Sequence, residues 1–119
     1  MQIARIPAVF LLLLLAGHPA LAAGFNAQVV RVKDGDSVVV FRPDVKRQSE
    51  IRLAGIDAPE LAQPWGIQAR SALRLLLGNR QVRIEVTDRD RYGRLVAKMW
   101  VGRTYVNARM AETGDAWAF

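Results

Sequence analysis

Three short stretches of the sequence hold residues that could do chemistry together: Asp34-Gly35-Asp36-Ser37, then Ile51-Arg52-Leu53-Ala54-Gly55-Ile56-Asp57-Ala58-Pro59-Glu60, then Asp90-Arg91-Tyr92-Gly93-Arg94. They set carboxylates and guanidiniums beside tight-turn glycines and a proline. Carboxylate oxygens suit a hard cation such as Ca²⁺ or Mg²⁺. Arginine suits phosphate, because its planar fork makes paired charge-assisted hydrogen bonds. A site with both reads as metal-assisted chemistry on a phosphate ester.

The missing residue types narrow the choice. The chain has no cysteine, and His18 is its one histidine. His18 lies in a segment expected to be removed, so a Cys/His zinc site, a cysteine nucleophile and a Ser-His-Asp triad are all excluded. Acid–base work falls to Asp, Glu, Lys, Tyr, Arg or metal-bound water. Lys and Arg total 17 against 11 Asp and Glu, a formal net charge of +6. A small basic domain fits a polyanionic partner, although the same excess also serves plain solubility.

The first 22 residues read as an address. Arg5 supplies the positive start, Ile6 to Ala16 is almost wholly apolar, and Ala20-Leu21-Ala22 gives a small-residue cleavage pattern. Cleavage is expected after Ala22 or Ala23. The apolar run is shorter than the roughly 20 residues a membrane-spanning helix needs. The expectation is therefore a secretory signal peptide over 1–22, an exported protein that is periplasmic or secreted, and one domain over 23–119. No disulfide helps that domain, so its core must suffice unaided.

The elements that must position the charged residues read as mostly strands. Asn26 to Lys33 is strand-like and ends at the Asp34-Gly35-Asp36 turn. Ser37 to Phe41 is β-branched and apolar and is expected to return antiparallel. Arg42 to Ser49, polar and holding Pro43, reads as a loop, and Glu50 to Leu53 as a short third strand. Pro59 and Pro64 bracket another loop. Ile67 to Leu77 is a helix, with Ala69, Leu73, Leu76 and Leu77 on one face and Gly78 as its stop. Gln81 to Val86 alternates as a half-buried strand, Leu95 to Val101 is a fifth, and Val106 to Glu112 reads as a short helix. Two helical segments cannot serve as crossovers for every strand, so this order fits a small Greek-key barrel better than a parallel α/β sheet.

The three charged segments, with Gln63-Pro64-Trp65-Gly66, Val106-Asn107 and Gly114-Asp115-Ala116-Trp117, resemble the thermonuclease (staphylococcal nuclease-like) family across essentially the whole of 23–119. The resemblance implies a mainly β fold with one or two helices, a five-stranded OB-fold barrel. It implies a monomeric Ca²⁺-dependent nuclease that hydrolyses phosphodiesters of DNA, RNA or both and leaves 3′-phosphate and 5′-hydroxyl ends. Residue by residue, it makes Asp36 and Asp57 the metal-binding aspartates of one Ca²⁺ ion and Ala58 a donor through its backbone carbonyl. It makes Arg52 and Arg94 the arginines that hold the phosphate, and Glu60 the general base or the orienter of the attacking water. Arg91, Tyr92 and Phe119 fall at the nucleotide end. The family pattern continues into further aromatics and a C-terminal helix for which this sequence has no counterpart. The second reading is accordingly a nucleic-acid-binding OB-fold module with weak or no catalysis.

Each residue also has a plainer role. Asp34 reads as a turn residue, and Asp57 could cap a turn. Arg52 lies between Ile51 and Leu53, so period-2 alternation turns it out of the core, where it could simply face solvent. Arg94 and Glu60 could form a surface pair. Asp88, Arg89 and Asp90 read as loop solvation, and Trp65, Trp100 and Trp117 as core or rim packing.

Overall fold

A computed structural model describes residues 24–119; the expected leader, 1–22, lies outside the described residues. In chain order the elements are β1 (Gly24–Asp34), β2 (Ser37–Arg42), β3 (Arg47–Leu53), β4 (Ile56–Asp57), α1 (Gly66–Leu77), β5 (Gln81–Arg89), β6 (Leu95–Val101), β7 (Thr104–Tyr105), α2 (Val106–Glu112) and β8 (Trp117–Ala118). Five long strands pair in the order β3-β2-β1-β5-β6, and β3 closes on β6 to make the barrel. Every pairing around the ring is antiparallel except this closure, where Ile51 pairs with Leu95, Arg52 with Val96 and Leu53 with Ala97 in parallel. The expected five-stranded OB-fold barrel is the architecture found.

β1 serves two neighbours. Its first half, Gly24–Gln28, pairs with β5, and its second half pairs with β2 through two register shifts. Such bulges bend a strand and increase its twist, which lets one strand turn the corner of a small barrel. The alternation legible in the sequence sets the inward face: Ala27, Val29, Val32, Val38, Val40, Ile51, Leu53, Val82, Ile84, Ala97 and Met99 are buried. α1 closes one end with Ala69, Leu73 and Leu77. Removing a fully buried leucine side chain such as Leu73 costs about 2–5 kcal/mol.

Asn107, on α2, is 2% exposed and ties β6 to the turn that follows β3. Its Oδ1 accepts from Met99 N–H, and its Nδ2 donates to the carbonyls of Ala54 and Ala97. A buried amide with every group satisfied fixes the approach of α2 to the barrel seam.

One expectation is corrected, one is narrowed, and one pairing is new to the structure. The polar stretch Arg42 to Ser49 is not one loop: β2 runs through Arg42 and β3 begins at Arg47, leaving a four-residue turn. The hairpin tip projects from the barrel, so both its faces are polar and alternation carries no signal there. Ile56–Asp57 and Trp117–Ala118 form a separate two-stranded ribbon too short to show a period. Trp65 and Trp117 are 55% and 68% exposed, so of the core or rim packing expected of them only the rim remains. Trp100 is half-buried and stacks on Tyr105 with ring centroids 5.1 Å apart.

Candidate active site

The first carboxylate comes from the turn between β1 and β2. Asp36 N–H donates to Asp34 Oδ1 at 3.0 Å, the local turn bond expected of Asp34. Gly35 lets this turn sit hard against its neighbours, since a Cβ there would come within 2.7 Å of Ala58 Cβ and 2.8 Å of Ala69 Cβ. The Asp36 side chain is thereby buried. Its Oδ2 accepts from Ala58 N–H at 2.7 Å and lies 3.4 Å from Arg52 Nη1, while its Oδ1 accepts from Ser37 Oγ at 3.3 Å. Burial pushes the Asp36 carboxyl up to about 6, against the opposing pull of the Ala58 N–H and the Arg52 guanidinium.

β3 alternates as read, with Ile51 and Leu53 inside and Arg52 turned out. Arg52 does not wave in solvent, however. Its Nη1 donates to the carbonyls of Leu53 and Ile56, each at 2.9 Å, and its Nη2 lies 3.4 Å from Asp57 Oδ1. One guanidinium therefore stands between the two aspartates. Asp57 is exposed on β4, directly across the ribbon from Trp117.

Arg94 follows the β5–β6 turn. Its Nε donates to Asp90 Oδ2 at 2.7 Å, and its Nη1 donates to Ser37 Oγ at 3.3 Å and lies 3.6 Å from Glu50 Oε2. Ser37 thus links Arg94 to Asp36. Asp90 also accepts from the N–H groups of Tyr92 and Arg94, so it shapes the turn and aims the guanidinium. Loop solvation understates it. Glu50, bonded also to Lys33 Nζ at 3.1 Å, was not singled out in the sequence. Its signal was there: it lies two residues from Arg52 on the same strand face. Ser37 was quoted only as part of a motif, and nothing local announces its bond to a residue on another hairpin.

Glu60 lies apart from this linked set. It forms no ion pair with Arg94; among the described residues Arg94 pairs with Asp90 and Glu50. Glu60 N–H donates to Gln63 Oε1 at 2.7 Å, and its carbonyl accepts from Gln63 N–H at 2.9 Å. Behind it, a Cβ on Gly66 would fall 2.0 Å from the Glu60 carbonyl oxygen. The start of α1 is pressed onto this loop, and only glycine fits there. Glu60, Asp57, Ala58 and Trp117 line a groove of about 440 Å³. Tyr92 is exposed on the other side, with Arg91 Cζ 5.2 Å and Arg94 Cζ 5.9 Å from its ring centroid. Phe119 is 85% exposed, and its N–H donates to the Gly55 carbonyl.

The structure brings Asp36, Arg52, Asp57 and Arg94 together and sets Ala58 and Glu60 beside them. Among the described residues no group of three or more His, Asp or Glu side chains gathers closely enough to cage an ion. Two hard carboxylates, Asp36 on a turn and Asp57 on β4, each 3.4 Å from the Arg52 guanidinium, still fit a cation that takes its remaining ligands from carbonyl, water and phosphate oxygens.

The staphylococcal nuclease homologue family matches residues 50–119. Protein ParB of Escherichia coli is 37% identical over 94% of this chain and 67% of its own length. A probable staphylococcal-like nuclease of Oryza sativa subsp. japonica is 41% identical over 61% of this chain and 20% of its own. Micrococcal nuclease of Shigella flexneri is 37% identical over 82% of this chain and 60% of its own. The chain thus spans between a fifth and two thirds of the length of these relatives.

Proposed function

Because the chain belongs to the staphylococcal nuclease homologue family, we propose that it is a metal-dependent nuclease that hydrolyses phosphodiester bonds of DNA, RNA or both. The observation that carries this is the linked set Asp36–Arg52–Asp57, joined through Ser37 to Arg94 at one mouth of the barrel. Each arginine is already held by bonds to protein oxygens, so each presents its free N–H edge with little freedom to lose. Attack on phosphorus builds charge on the phosphoryl oxygens, and fixed guanidiniums oppose that charge without reorganising. Glu60, on a loop backed by the buried Pro59, is placed to orient a water or take its proton on the groove side.

Asp36, Asp57 and the Ala58 carbonyl would hold one divalent cation, Ca²⁺ rather than Mg²⁺ because multidentate hard-oxygen ligation that includes a backbone carbonyl suits it better. Such an ion supplies Lewis-acid stabilisation of the phosphate and neutralises the carboxylates that would otherwise repel it. The family-like products are a 3′-phosphate and a 5′-hydroxyl. Residues 1–22 are proposed as an export leader, which would place the nuclease outside the cytoplasm.

The test is a single-stranded DNA and a plasmid incubated with the protein in Ca²⁺, in Mg²⁺ and in excess chelator. Strand loss in Ca²⁺ that chelator abolishes is expected. Undiminished hydrolysis in chelator overturns the metal requirement, and intact strands that are nonetheless retarded on a gel leave a binding module in place of the enzyme.

A further inference from the structure

Beside the active site lies a second basic concavity that the nuclease reading does not use. It measures about 310 Å³ and opens between the β2–β3 hairpin and the β5–β6 turn. Arg42, Arg47 and Arg89 line it, and it shares Glu50 and Gly93 with the wall that carries Arg94. Residue register makes it unusual. Arg42 and Arg47 are direct cross-strand partners, which puts two guanidiniums on one face of the same hairpin. Like charges in that position repel and work against the pairing.

The carboxylates nearby relieve only one side of this pair. Asp44 is occupied with Arg42, at 2.9 Å and 3.3 Å. Glu50 is occupied with Lys33 and Arg94. Among the described residues neither Arg47 nor Arg89 forms an ion pair. The cradle is nonetheless shaped. Arg42 Cζ lies 3.9 Å above the Phe25 ring, and Arg89 Nη1 donates to the Gly93 carbonyl at 3.3 Å. Two of the three side chains are thus ordered before any ligand arrives, while Arg47 stands exposed at the rim. A concave surface with uncompensated, partly ordered guanidiniums is complementary to a phosphate group.

We propose that this concavity is a second phosphate subsite, which holds the backbone of a single-stranded nucleic acid flanking the phosphodiester at Arg52 and Arg94. The identity of the ligand rests on the nuclease reading; the site itself rests on the hairpin register and the unpaired arginines. It sits next to Arg94 along the wall made by Glu50 and Gly93, so a strand leaving the catalytic mouth on that side passes directly over it. The site reads no bases. It sets how the strand lies across the mouth and how strongly binding depends on salt.

The experiment measures binding separately from cutting. Fluorescein-labelled oligothymidylate is titrated by anisotropy in excess EDTA at several salt concentrations, with strand integrity checked on a gel. Arg47→Ala is expected to weaken binding roughly tenfold at low salt and to lower the slope of log affinity against log salt by about 0.7, the value for one phosphate contact on a single strand. Arg103→Ala, which removes the same charge from the exposed β6–β7 turn, is expected to change neither by much. Arg47→Glu faces Arg42 with an opposite charge, so it should bind more weakly still while melting no lower than the parent. Equal losses for Arg47→Ala and Arg103→Ala, or no measurable binding by the parent, overturn the proposal. If the parent cuts nothing in Ca²⁺ yet the Arg47 variants still lose binding selectively, the nuclease reading fails and the subsite stands. If the parent cuts and the Arg47 variants bind as it does, the subsite fails alone.

Discussion

The charged mouth has two parts built in opposite ways. The inner part, Asp36, Arg52 and Arg94, is tied by side-chain bonds to Ser37, Glu50, Asp57, Asp90 and the backbone of Leu53, Ile56 and Ala58. The outer part, Glu60 on the loop before α1, is exposed and is placed by the backbone alone, through Gln63 and the close approach of Gly66. A charge that must meet another charge gains from being held rigid before substrate arrives. A group that must handle a water gains from standing at the solvent edge. On the proposed reading, the inner residues would do structural work as well as chemistry, whereas Glu60 would do chemistry only.

This difference can be broken most sharply at Arg52. Arg52→Ala should lower kcat by roughly 10²–10³, the cost of one removed charge-stabilising donor. It should also lower stability by roughly 1–3 kcal/mol, because Asp36 is left buried without its guanidinium. Chemical denaturation of the variant beside the parent checks the second half. A variant that loses rate but not stability would show that the inner bonds are incidental. Glu60→Gln should lose rate on the order of 10²-fold and leave the denaturation midpoint unmoved. Gly66→Ala tests the same point from the backbone. Its Cβ has no room beside the Glu60 carbonyl, so the loop must shift, and the rate should fall toward that of Glu60→Gln. A Gly66→Ala enzyme with parental kcat would mean that Glu60 needs no exact placement.

Smaller effects sharpen the comparison within the inner part. Asp90→Asn keeps an oxygen for the turn but loses the charge facing Arg94, and kcat should fall roughly tenfold, the worth of one charge-assisted hydrogen bond. The mildest is a pH dependence. Burial raises the Asp36 carboxyl to about 6, above its unfolded value of 3.8. A cation binds the ionised form, so its affinity should fall about tenfold from pH 7 to pH 5 as Asp36 takes up a proton. Without a cation the sign reverses for stability: the folded state holds the Asp36 proton more tightly, so this group's contribution is lost as pH rises from about 4 through about 6. Asp36→Asn should remove that loss. Thermal melts in EDTA at pH 4 and pH 7 should then show the variant gaining on the parent at the higher pH, and an equal difference at both would refute the assignment.

What the sequence made legible is what local rules govern. Alternation at Val82 and Ile84 placed β5, three- and four-residue steps placed α1, and period-2 reasoning turned Arg52 outward. The turn bond from Asp34 to Asp36 is also local. Non-local facts stayed hidden. The bonds from Glu50 and Ser37 to Arg94 join hairpins distant in the chain, and no spacing records them. The exposure of Trp65 and Trp117 ran against residue type, since large aromatics are ordinarily well buried. Trp65 also adopts a left-handed backbone, φ 70, held by its Nε1–H bond to Asp115 Oδ1 at 2.9 Å, a conformation no propensity scale anticipates for tryptophan.

The parallel closure of β3 on β6 would govern when a nuclease of the proposed kind first becomes active. Arg52 lies within that seam, opposite Val96, and Arg94 immediately precedes its first pair, Ile51 with Leu95. Hairpins form quickly from neighbouring residues, but a parallel pairing between distant segments must first overcome loop-closure entropy. A chain that has folded β1 to β3 and, separately, β5 and β6 carries one of the two arginines on each piece, not yet side by side. The pair proposed to hold the phosphate is assembled only when the ring shuts. If the proposed function holds, such a chain would spare the nucleic acids of the cell that makes it for as long as it is kept from finishing, and a lesion that weakens the seam would disarm the protein without touching a charged residue.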